Sequence, residues 1–374
     1  MNVIILAENH HNTLGLIRSI GECGHRIFLI LKHQSIDFVS KSTYVSKVYY
    51  LHNINEICSI VKKISDENTR PVLIVSSEEY GEYVDSHYEE LSKFCYTEGG
   101  EKNNTIQPFR EKSIANQLAL KVGFTLPRNW VINKKGDIPK DIVFPVLVKA
   151  DKSVTGWKSV MKKCDTLEEF TTHLNSLSLD FFPLQVQEFI TKEYEMLFLG
   201  CSLDRGKIII APIGHKKERH YPTIYGLGSY SASFETTKDK RVQELVNKAQ
   251  AFLQEIKYTG LFSAEFIYAK GNYYFLEINL RNDATSILST RCGCNLPAIL
   301  CDYLSGNDWK QHLHKYQPRH YMHITADIHH VLHGKVSALI WLKELYKAGA
   351  YSYFDKKDWK PFVYYLWSKI KSKI

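Results

Sequence analysis

The chain has 374 residues, of which 44% are hydrophobic and 24% charged, and its formal net charge is +8. This length predicts two or three domains with a large core, and this hydrophobic content excludes an intrinsically disordered protein. No apolar run reaches the roughly 20 residues that a membrane-spanning helix needs. The basic residues form no clustered stripe, so we expect no nucleic-acid partner, and the charge suits anionic small molecules or an anionic surface.

Two features favour a cytoplasmic location. The first apolar run, Val3–Ala7, is too short for the core of a signal peptide and follows no basic residue. The eight cysteines suit reduced thiols in a core, and Cys292 and Cys294 do not have the spacing of a zinc site.

The first hundred residues have the pattern of a small doubly wound domain. A continuous apolar strand is predicted over Asn2–Ala7, a helix over Thr13–Ile20 and a second strand over Arg26–Leu31. A helix, a strand and a helix then follow, at Asn55–Lys63, Pro71–Ser76 and Glu78–Ser92. The loop after the first strand lacks the G-x-G-x-x-G pattern, so the sequence predicts a Rossmann-like domain that does not bind a dinucleotide.

The next segment contains a lysine at the end of an apolar strand. A helix is predicted over Phe109–Gly123, and the strand Phe144–Ala150 carries Lys149 near its end. The ammonium group of such a lysine either extends to water while its methylene groups stay buried, or it faces an anion. The loop Asp151–Lys158 follows, and the N–H groups of its small residues can fold over phosphates. A later strand, Leu184–Ile190, carries Glu188.

A basic cluster precedes a loop rich in Gly, Ser and Tyr. The cluster is His215–His220, and the predicted loop is Tyr221–Ser233. We expect this loop to act as a lid, and we expect Arg219 to neutralise a phosphate beneath it. The alternative is a solvated run of charges.

The polar residues of a predicted hairpin indicate a metal site. Glu277 and Asn279 are two residues apart on an apolar strand, so they share one face, and Arg281 follows on that face. Glu265 lies on the preceding strand, and a tight turn at Lys270–Asn272 can bring it opposite Glu277. Two carboxylates this close would raise the pKa of one of them, so a divalent cation between them is favourable. The alternative is an ordinary hairpin with solvated side chains.

The run Glu265…Glu277-Ile278-Asn279-Leu280-Arg281 resembles the metal-binding hairpin of the ATP-grasp superfamily, which usually reads E-x-N-P-R. Here Leu280 replaces the proline. The similarity is greatest to the carboxylate–amine ligases, such as D-alanine–D-alanine ligase, D-aspartate ligase and the ATP domains of carbamoyl-phosphate synthase. It covers about residues 109–306.

The resemblance implies an α/β protein of the α+β ATP-grasp class. A Rossmann-like pre-ATP-grasp domain is expected at 1–107, an ATP-grasp domain at 108–310 and a helical C-terminal extension at 311–374. Within the ATP-grasp domain, residues 108–190 would form the small subdomain that covers the nucleotide. Residues 191–310 would form the metal and substrate subdomain.

The resemblance also implies roles for individual residues. Mg²⁺, or Mn²⁺ in its place, would bind to Glu265, Glu277 and Asn279. The ATP phosphates would contact five residues: Lys112, Lys149, Ser153, Thr155 and Gly156. Adenine would be read at Glu188, Phe189 and Ile190, and ribose at Glu193, with Glu195 as the alternative. Arg281, Lys149 and Arg219 would be the catalytic positive groups. A surface position is the alternative for Lys112.

The implied function is an ATP-dependent carbon–nitrogen ligase that joins a carboxylate to an amine through an acyl phosphate. Its partners would be small molecules, among them amino acids, and a homodimer is left open. The alternatives are an ATP-grasp kinase or carboxylase with another acceptor, and a non-catalytic nucleotide-binding protein at a membrane surface.

The end of the chain has an aromatic and basic amphipathic pattern over Asp358–Ile374. This pattern allows peripheral contact with an anionic membrane through residues 358–374. The alternative is an aromatic face that packs on the body of the protein. His329, His330 and His333 have helical spacing without a further hard ligand, so they are interpreted as solvated or core histidines.

Overall fold

A computed structural model describes residues 1–34, 36–67, 69–151, 160–221 and 228–371. The chain divides into two compact units. Unit 1 comprises Met1–Ile106, Leu197–Ser263 and Asn279–Ile374, and unit 2 comprises Gln107–Met196 and Ala264–Ile278.

Unit 1 begins with a five-stranded parallel sheet of order β3-β2-β1-β4-β5. The strands are β1 Asn2–Ala7, β2 Arg26–Lys32, β3 Val45–Leu51, β4 Val72–Val75 and β5 Tyr96–Thr97. The helices are α1 His11–Gly21, α2 Ile57–Asp66, α3 Glu78–Ser86 and α4 Tyr88–Leu91. β1, the middle of β2 and β4 are buried, as their continuous apolar runs predict for parallel strands covered on both faces. The helix predicted over Glu78–Ser92 is interrupted at His87.

Unit 2 contains a four-stranded antiparallel sheet of order β6-β9-β7-β8. Its strands are β6 Asn129–Ile132, β7 Val146–Ala150, β8 Lys162–Cys164 and β9 Leu184–Glu188, and its helices are α5 Lys112–Lys121 and α6 Leu167–Ser176. Thr166 caps α6, because its hydroxyl oxygen accepts a hydrogen bond from Glu169 N at 3.2 Å.

A larger sheet has the order β15-β14-β10-β12-β13-β16-β17, with β11 paired to β10. Its strands are β10 Tyr194–Leu203, β11 Ile208–Ile210, β12 Ile213–His220, β13 Gly228–Glu235, β14 Gly260–Ala269, β15 Asn272–Asn279, β16 His320–Met322 and β17 Ala350–Tyr351. The remaining helices are α7 Lys240–Glu255, α8 Ser286–Arg291, α9 Leu296–Leu304, α10 Ile324–Leu332, α11 Ala338–Lys347 and α12 Lys360–Lys371.

Part of the predicted lid is a strand. Residues 228–233 belong to β13, which pairs with β12 on one side and β16 on the other. The expectation of a loop up to Ser233 is therefore wrong for these residues. Pairing with a strand on each side outweighs the low strand propensity of glycine and serine. Residues 222–227 lie outside the described part of the chain.

A buried ion pair joins the C-terminal segment to the first helix. The Arg18 guanidinium donates to Asp358 Oδ2 from Nε at 3.0 Å and to Tyr353 O from Nη2 at 2.7 Å. The Asp358 carboxylate also accepts from Ser42 Oγ at 2.9 Å and from Thr43 N at 2.8 Å. Both charged side chains are almost completely removed from solvent. Their many hydrogen bonds offset the cost of burying two charges.

None of the helices in the described parts of the chain combines the length and the hydropathy that crossing a bilayer would require.

We expect Asp358→Ala to lower the free energy of unfolding by roughly 3–5 kcal/mol, because Arg18 would keep its charge in a buried position without a counter-charge. Urea unfolding followed by circular dichroism measures this loss. The matched control is Glu79→Ala, which breaks the exposed 3.0 Å pair of Glu79 with Lys32. That control should change stability by at most about 1 kcal/mol. Equal effects of the two variants would contradict the importance of the buried pair.

Candidate active site

Lys149 is a buried lysine in the sheet of unit 2. It lies on β7 opposite Gln185 of β9, and only 9% of its surface is exposed. Its neighbours Val146 and Val148 are fully buried in the core of this sheet. The apolar strand therefore carries the ammonium group into a region from which water is largely excluded.

Asp151 fixes the start of α5 beside the end of β7. Its carboxylate accepts from Ser113 N and from Ser113 Oγ, each at 3.0 Å, and so satisfies N-terminal groups of the helix. This contact positions Lys112, the first residue of α5. Lys112 Nζ lies 3.7 Å from Glu277 Oε2.

Two carboxylates accompany the two lysines within unit 2. Glu265 lies on β14 and Glu277 on β15, and both residues are half-buried. The pKa of Lys149 is lowered to about 8, chiefly by burial and also by the charge of Lys112, against the opposing effects of Glu277 and Glu265. The structure thus brings together four predicted site residues: Lys112, Lys149, Glu265 and Glu277. Their roles stay predictions.

Asn279 and Arg281 follow on the chain and belong to unit 1. Asn279 is the last residue of β15, and its Nδ2 donates to Ser263 Oγ at 3.4 Å. The Nδ2 contact orients the amide of Asn279. Arg281 Nε lies 3.0 Å from Glu78 Oε1, and its Nη1 donates to Asn282 O at 2.9 Å. Arg281 is therefore held by protein groups in this structure.

The predicted adenine-reading residues lie at the end of β9. The Glu188 carboxylate accepts from Arg128 Nε at 3.2 Å, and this pair is partly exposed. The Phe189 N–H donates to Pro145 O at 2.9 Å, so this donor is already used within the protein. Ile190 is half-buried and lies beyond the strand.

The two candidate ribose ligands differ in exposure. Glu193 is exposed, and its Oε1 accepts from Lys270 N at 2.9 Å. Glu195 is buried on β10 and is ion-paired with Lys192. Of the two, Glu193 is the carboxylate that a solvent-borne ligand can reach.

Arg219 is strongly bound by carboxylates of its own unit. Its Nε and Nη2 donate to the two oxygens of Asp327 at 2.9 and 2.6 Å, and Nη2 lies 2.9 Å from Glu344 Oε2. Although burial opposes it, hydrogen bonding to Asp327 and Glu344 raises the pKa of Arg219. The guanidinium also stacks over the Tyr230 ring at 4.2 Å. These contacts give Arg219 a structural role, and its catalytic role stays a prediction.

Two residues of the basic cluster, His215 and Lys217, were not predicted individually from the sequence. His215 and Lys217 are buried on β12, whereas Lys216 and Glu218 between and after them are exposed. Neither ring nitrogen of His215 has a hydrogen-bond partner among the residues that the structure describes. The pKa of His215 is lowered to about 4, chiefly by burial and also by the charge of Lys217, against the opposing effect of Asp283. Period-two alternation over Ile213–His220 is the signal that could have identified this inward face.

A second group of potential metal ligands lies in unit 1. His25, Asp302 and His312 offer ligand atoms that all lie within 4.8 Å of one another. The Asp302 carboxylate is hydrogen-bonded to His312 Nε2 at 2.7 Å and to Gln311 Nε2 at 3.0 Å. These bonds account for the buried carboxylate without an ion. Ser153, Thr155 and Gly156 lie outside the described residues.

The low pKa of Lys149 predicts a pH-dependent stability. Between pH 8 and the usual lysine value of 10.5, the unfolded chain binds a proton at Lys149 that the folded chain has lost. Stability must therefore rise with pH in this window. Relative to Lys149→Met, the wild type should gain about 2 kcal/mol of unfolding free energy between about pH 7 and 9.5. Urea unfolding of the nucleotide-free protein in chelator measures this gain.

The matched control for this prediction is Lys162→Met, which removes an exposed lysine of β8. Its stability should follow that of the wild type at every pH. If the wild type and Lys149→Met gave parallel stability curves, Lys149 would not be desolvated as the structure indicates.

Comparisons with known proteins agree with this architecture. Residues 230–326 match a family model described as ATP-grasp in the biosynthetic pathway with Ter operon. A D-aspartate ligase from Enterococcus faecium (strain Aus0004) is 26% identical over 269 residues, which cover 64% of this chain. The chain spans 60% of the length of that relative.

Two solved structures have a similar fold at low identity. The L-amino acid ligase from Bacillus licheniformis has a TM-score of 0.63 at 15% identity, covering 81% of this chain and 74% of its own. The biotin carboxylase domain of the Hydrogenobacter thermophilus 2-oxoglutarate carboxylase, in complex with ADP, magnesium and bicarbonate, has a TM-score of 0.65 at 15% identity. That match covers 82% of this chain and 70% of the other. The likeness to these two structures confirms the predicted fold class.

Proposed function

We propose that the chain is an ATP-dependent carboxylate–amine ligase that forms an amide or peptide bond through an acyl phosphate and releases ADP and phosphate. The observation that carries the proposal is the charged cluster of unit 2. Lys149 is buried and interacts electrostatically with Lys112, Glu277 and Glu265, and Lys112 Nζ lies 3.7 Å from Glu277 Oε2. A polyphosphate with a divalent cation complements such a cluster, since the lysines take the phosphate charge and the carboxylates take the metal.

The proposed metal ligands are Glu265, Glu277 and Asn279, which offer the carboxylate and amide oxygens that Mg²⁺ and Mn²⁺ prefer. Glu265 and Glu277 fit the ion, because both are half-buried carboxylates that act electrostatically on the same buried lysine, Lys149. When bound, the ion would offset the negative charge that develops on the phosphate oxygens.

The nucleotide would be held by groups at the ends of β7 and β9. Lys112 and Lys149 are proposed to contact phosphates, together with Ser153, Thr155 and Gly156. Glu188, Phe189 and Ile190 are proposed to read adenine through Ile190 and the carbonyl groups, because the Phe189 N–H is already bonded to Pro145. Glu193 is proposed as the ribose ligand, and its exposure supports it over the buried Glu195.

The chemistry requires positioning and fixed charge, without a covalent enzyme nucleophile. An oxygen of the substrate carboxylate attacks the γ-phosphorus, the bond to the β–γ bridging oxygen breaks, and ADP leaves. The amine nitrogen then attacks the acyl carbon, phosphate departs with the bonding electrons, and the amine loses a proton. Lys149 and Arg281 are proposed to hold the transferred phosphoryl group. Arg219 would contribute only by exchanging a contact with Asp327 or Glu344 for one with substrate.

The substrates are proposed to be small molecules. The similarity to a D-aspartate ligase and to an L-amino acid ligase supports an amino acid as one of them. A cytoplasmic location and a homodimer remain proposals.

A carboxylase is the second candidate, because a biotin carboxylase domain that binds bicarbonate shares the fold. The acceptor of the phosphoryl group would then be bicarbonate.

ADP release from Mg·ATP distinguishes these functions. A panel pairs carboxylates with amino acids, and each is also tested alone and with bicarbonate. Release that needs both a carboxylate and an amine supports ligation. A hydroxamate formed with hydroxylamine from the carboxylate alone supports the acyl phosphate. Release that depends on bicarbonate alone favours the carboxylase, and the absence of both ATP binding and ADP release would overturn the proposal.

We expect Glu265→Gln to lower kcat at least about 100-fold, because it removes a charge that the metal needs while it keeps the size of the side chain. The assay is steady-state ADP release with the substrates that the panel identifies. Glu168→Gln, at an exposed position in the first turn of α6, should retain full activity. Near-native turnover of Glu265→Gln would exclude Glu265 as a metal ligand.

A further inference from the structure

Exposed apolar side chains are concentrated near the end of the chain. Among the described residues, 20 large hydrophobic side chains are exposed, and 12 of them lie between Ile328 and Ile370. The other eight are scattered from Tyr50 to Leu313. We call the 12 residues the C-terminal apolar face: Ile328, Leu332, Leu339, Ile340, Leu342, Tyr346, Trp359, Val363, Tyr364, Leu366, Trp367 and Ile370. A soluble monomer rarely presents so many together without a function.

The helix α12 is attached by one side and exposes apolar residues on the other. Pro361 and Tyr365, one turn apart, are buried, and Tyr365 stacks on Tyr353 with ring centroids 3.7 Å apart. Val363 and Trp367, also one turn apart, are about half exposed. The face of α12 that contains Pro361 and Tyr365 packs on the body of unit 1. The face that contains Val363 and Trp367 is therefore not needed to attach the helix.

The helix α11 repeats this arrangement. Its buried residue is Trp341, whose indole N–H donates to Asp327 Oδ2 at 3.0 Å. Leu339, Leu342 and Tyr346 are spaced three and four residues apart and lie 56–90% exposed.

The helix α10 contacts both neighbours. Its Thr325 hydroxyl lies 3.2 Å from the Tyr365 hydroxyl of α12, and its Asp327 accepts from Trp341 of α11. Ile328 and Leu332 of α10 are exposed one turn apart. The three helices that carry most of the apolar face are therefore neighbours.

In the segment of residues 338–371 the acidic side chains contact arginines of the body, whereas the lysines face solvent. Its acidic residues are turned onto arginines: Glu344 onto Arg219, Asp355 onto Arg291 and Asp358 onto Arg18. Its lysines are exposed: Lys343, Lys347, Lys356, Lys357, Lys360, Lys369 and Lys371. The outer surface of residues 338–371 is therefore aromatic, aliphatic and positively charged.

We propose that the C-terminal apolar face binds an anionic lipid surface. Tryptophan and tyrosine favour the interface between headgroups and acyl chains, and lysines around them attract anionic headgroups. A second copy of the chain is a poorer occupant, because a symmetric contact would bring the same lysines together without exposed carboxylates from 338–371 to neutralise them. This inference is independent of the ligase activity.

Co-sedimentation of the full chain with vesicles tests the proposal. Vesicles of phosphatidylcholine with phosphatidylglycerol should pellet the protein, and vesicles of phosphatidylcholine alone should bind it at least about tenfold more weakly. Raising the salt to about 1 M should weaken binding to the anionic vesicles, because salt screens the lysines. The bound protein should show a blue shift of tryptophan fluorescence, since Trp359 and Trp367 would leave water.

Two variants separate the apolar and the charged contributions. Trp367→Ser with Ile370→Ser should reduce binding at least about tenfold, through the lost apolar burial. Lys356→Gln with Lys357→Gln and Lys360→Gln should reduce it at least about tenfold and lower the salt dependence, since four of the seven exposed lysines remain. The matched control is Leu167→Ser with Leu179→Ser, which changes two equally exposed apolar residues in unit 2 and should bind as the wild type does.

Three results would overturn the proposal. They are equal binding to neutral and anionic vesicles, loss of binding in the Leu167/Leu179 control to the same extent, and no binding by a folded wild type. Light scattering after size exclusion adds a fourth: a wild-type dimer that becomes a monomer in Trp367→Ser with Ile370→Ser would assign the face to a second copy.

Discussion

The ion pair of Arg18 with Asp358 determines what the end of the chain can do. It is buried and connects α1 to the residue pair that precedes α12. Because Ser42 and Thr43 complete the coordination of the carboxylate, the segment has one favoured position on the N-terminal sheet. The C-terminal segment belongs to unit 1 together with this sheet. In this fixed position Val363, Trp367 and Ile370 of α12 stay about half exposed or more.

The buried charge of unit 2, Lys149, differs from that of Arg18 in its surroundings. Within the described residues Lys149 has no ion pair like that of Arg18 with Asp358, and burial lowers its pKa. A buried ammonium group of this kind destabilises the free protein, whereas an anionic ligand would restore its charge and gain the full interaction. This difference fits a stabilising role for Arg18 and the proposed ligand-binding role of Lys149. It supports ATP phosphates near Lys149 more directly than the motif alone does.

The sequence predicted local patterns well and distant partners poorly. Periodicity predicted the apolar strands β1 and β7, and it placed Glu277 and Asn279 on one strand, β15. The order of the motifs predicted the fold class. The contact of Arg219 with Asp327 joins residues 108 positions apart and has no local signal. For the same reason the sequence does not predict that two carboxylates hold Arg219.

The tail illustrates a second limit of sequence reasoning. An amphipathic helix has one apolar face in its sequence, and packing on the body was considered beside membrane contact for 358–374. The structure indicates that α12 has two apolar faces, one around Tyr365 and one around Trp367. Because α12 has aromatic residues on both sides, it can pack on the body through Tyr365 and still expose Trp367 for membrane contact. Only the positions of Glu344, Asp355 and Asp358, each directed inward onto an arginine, reveal that the outer face is uniformly positive. It is this separation of charge, more than the number of apolar side chains, that favours anionic lipid over another protein surface.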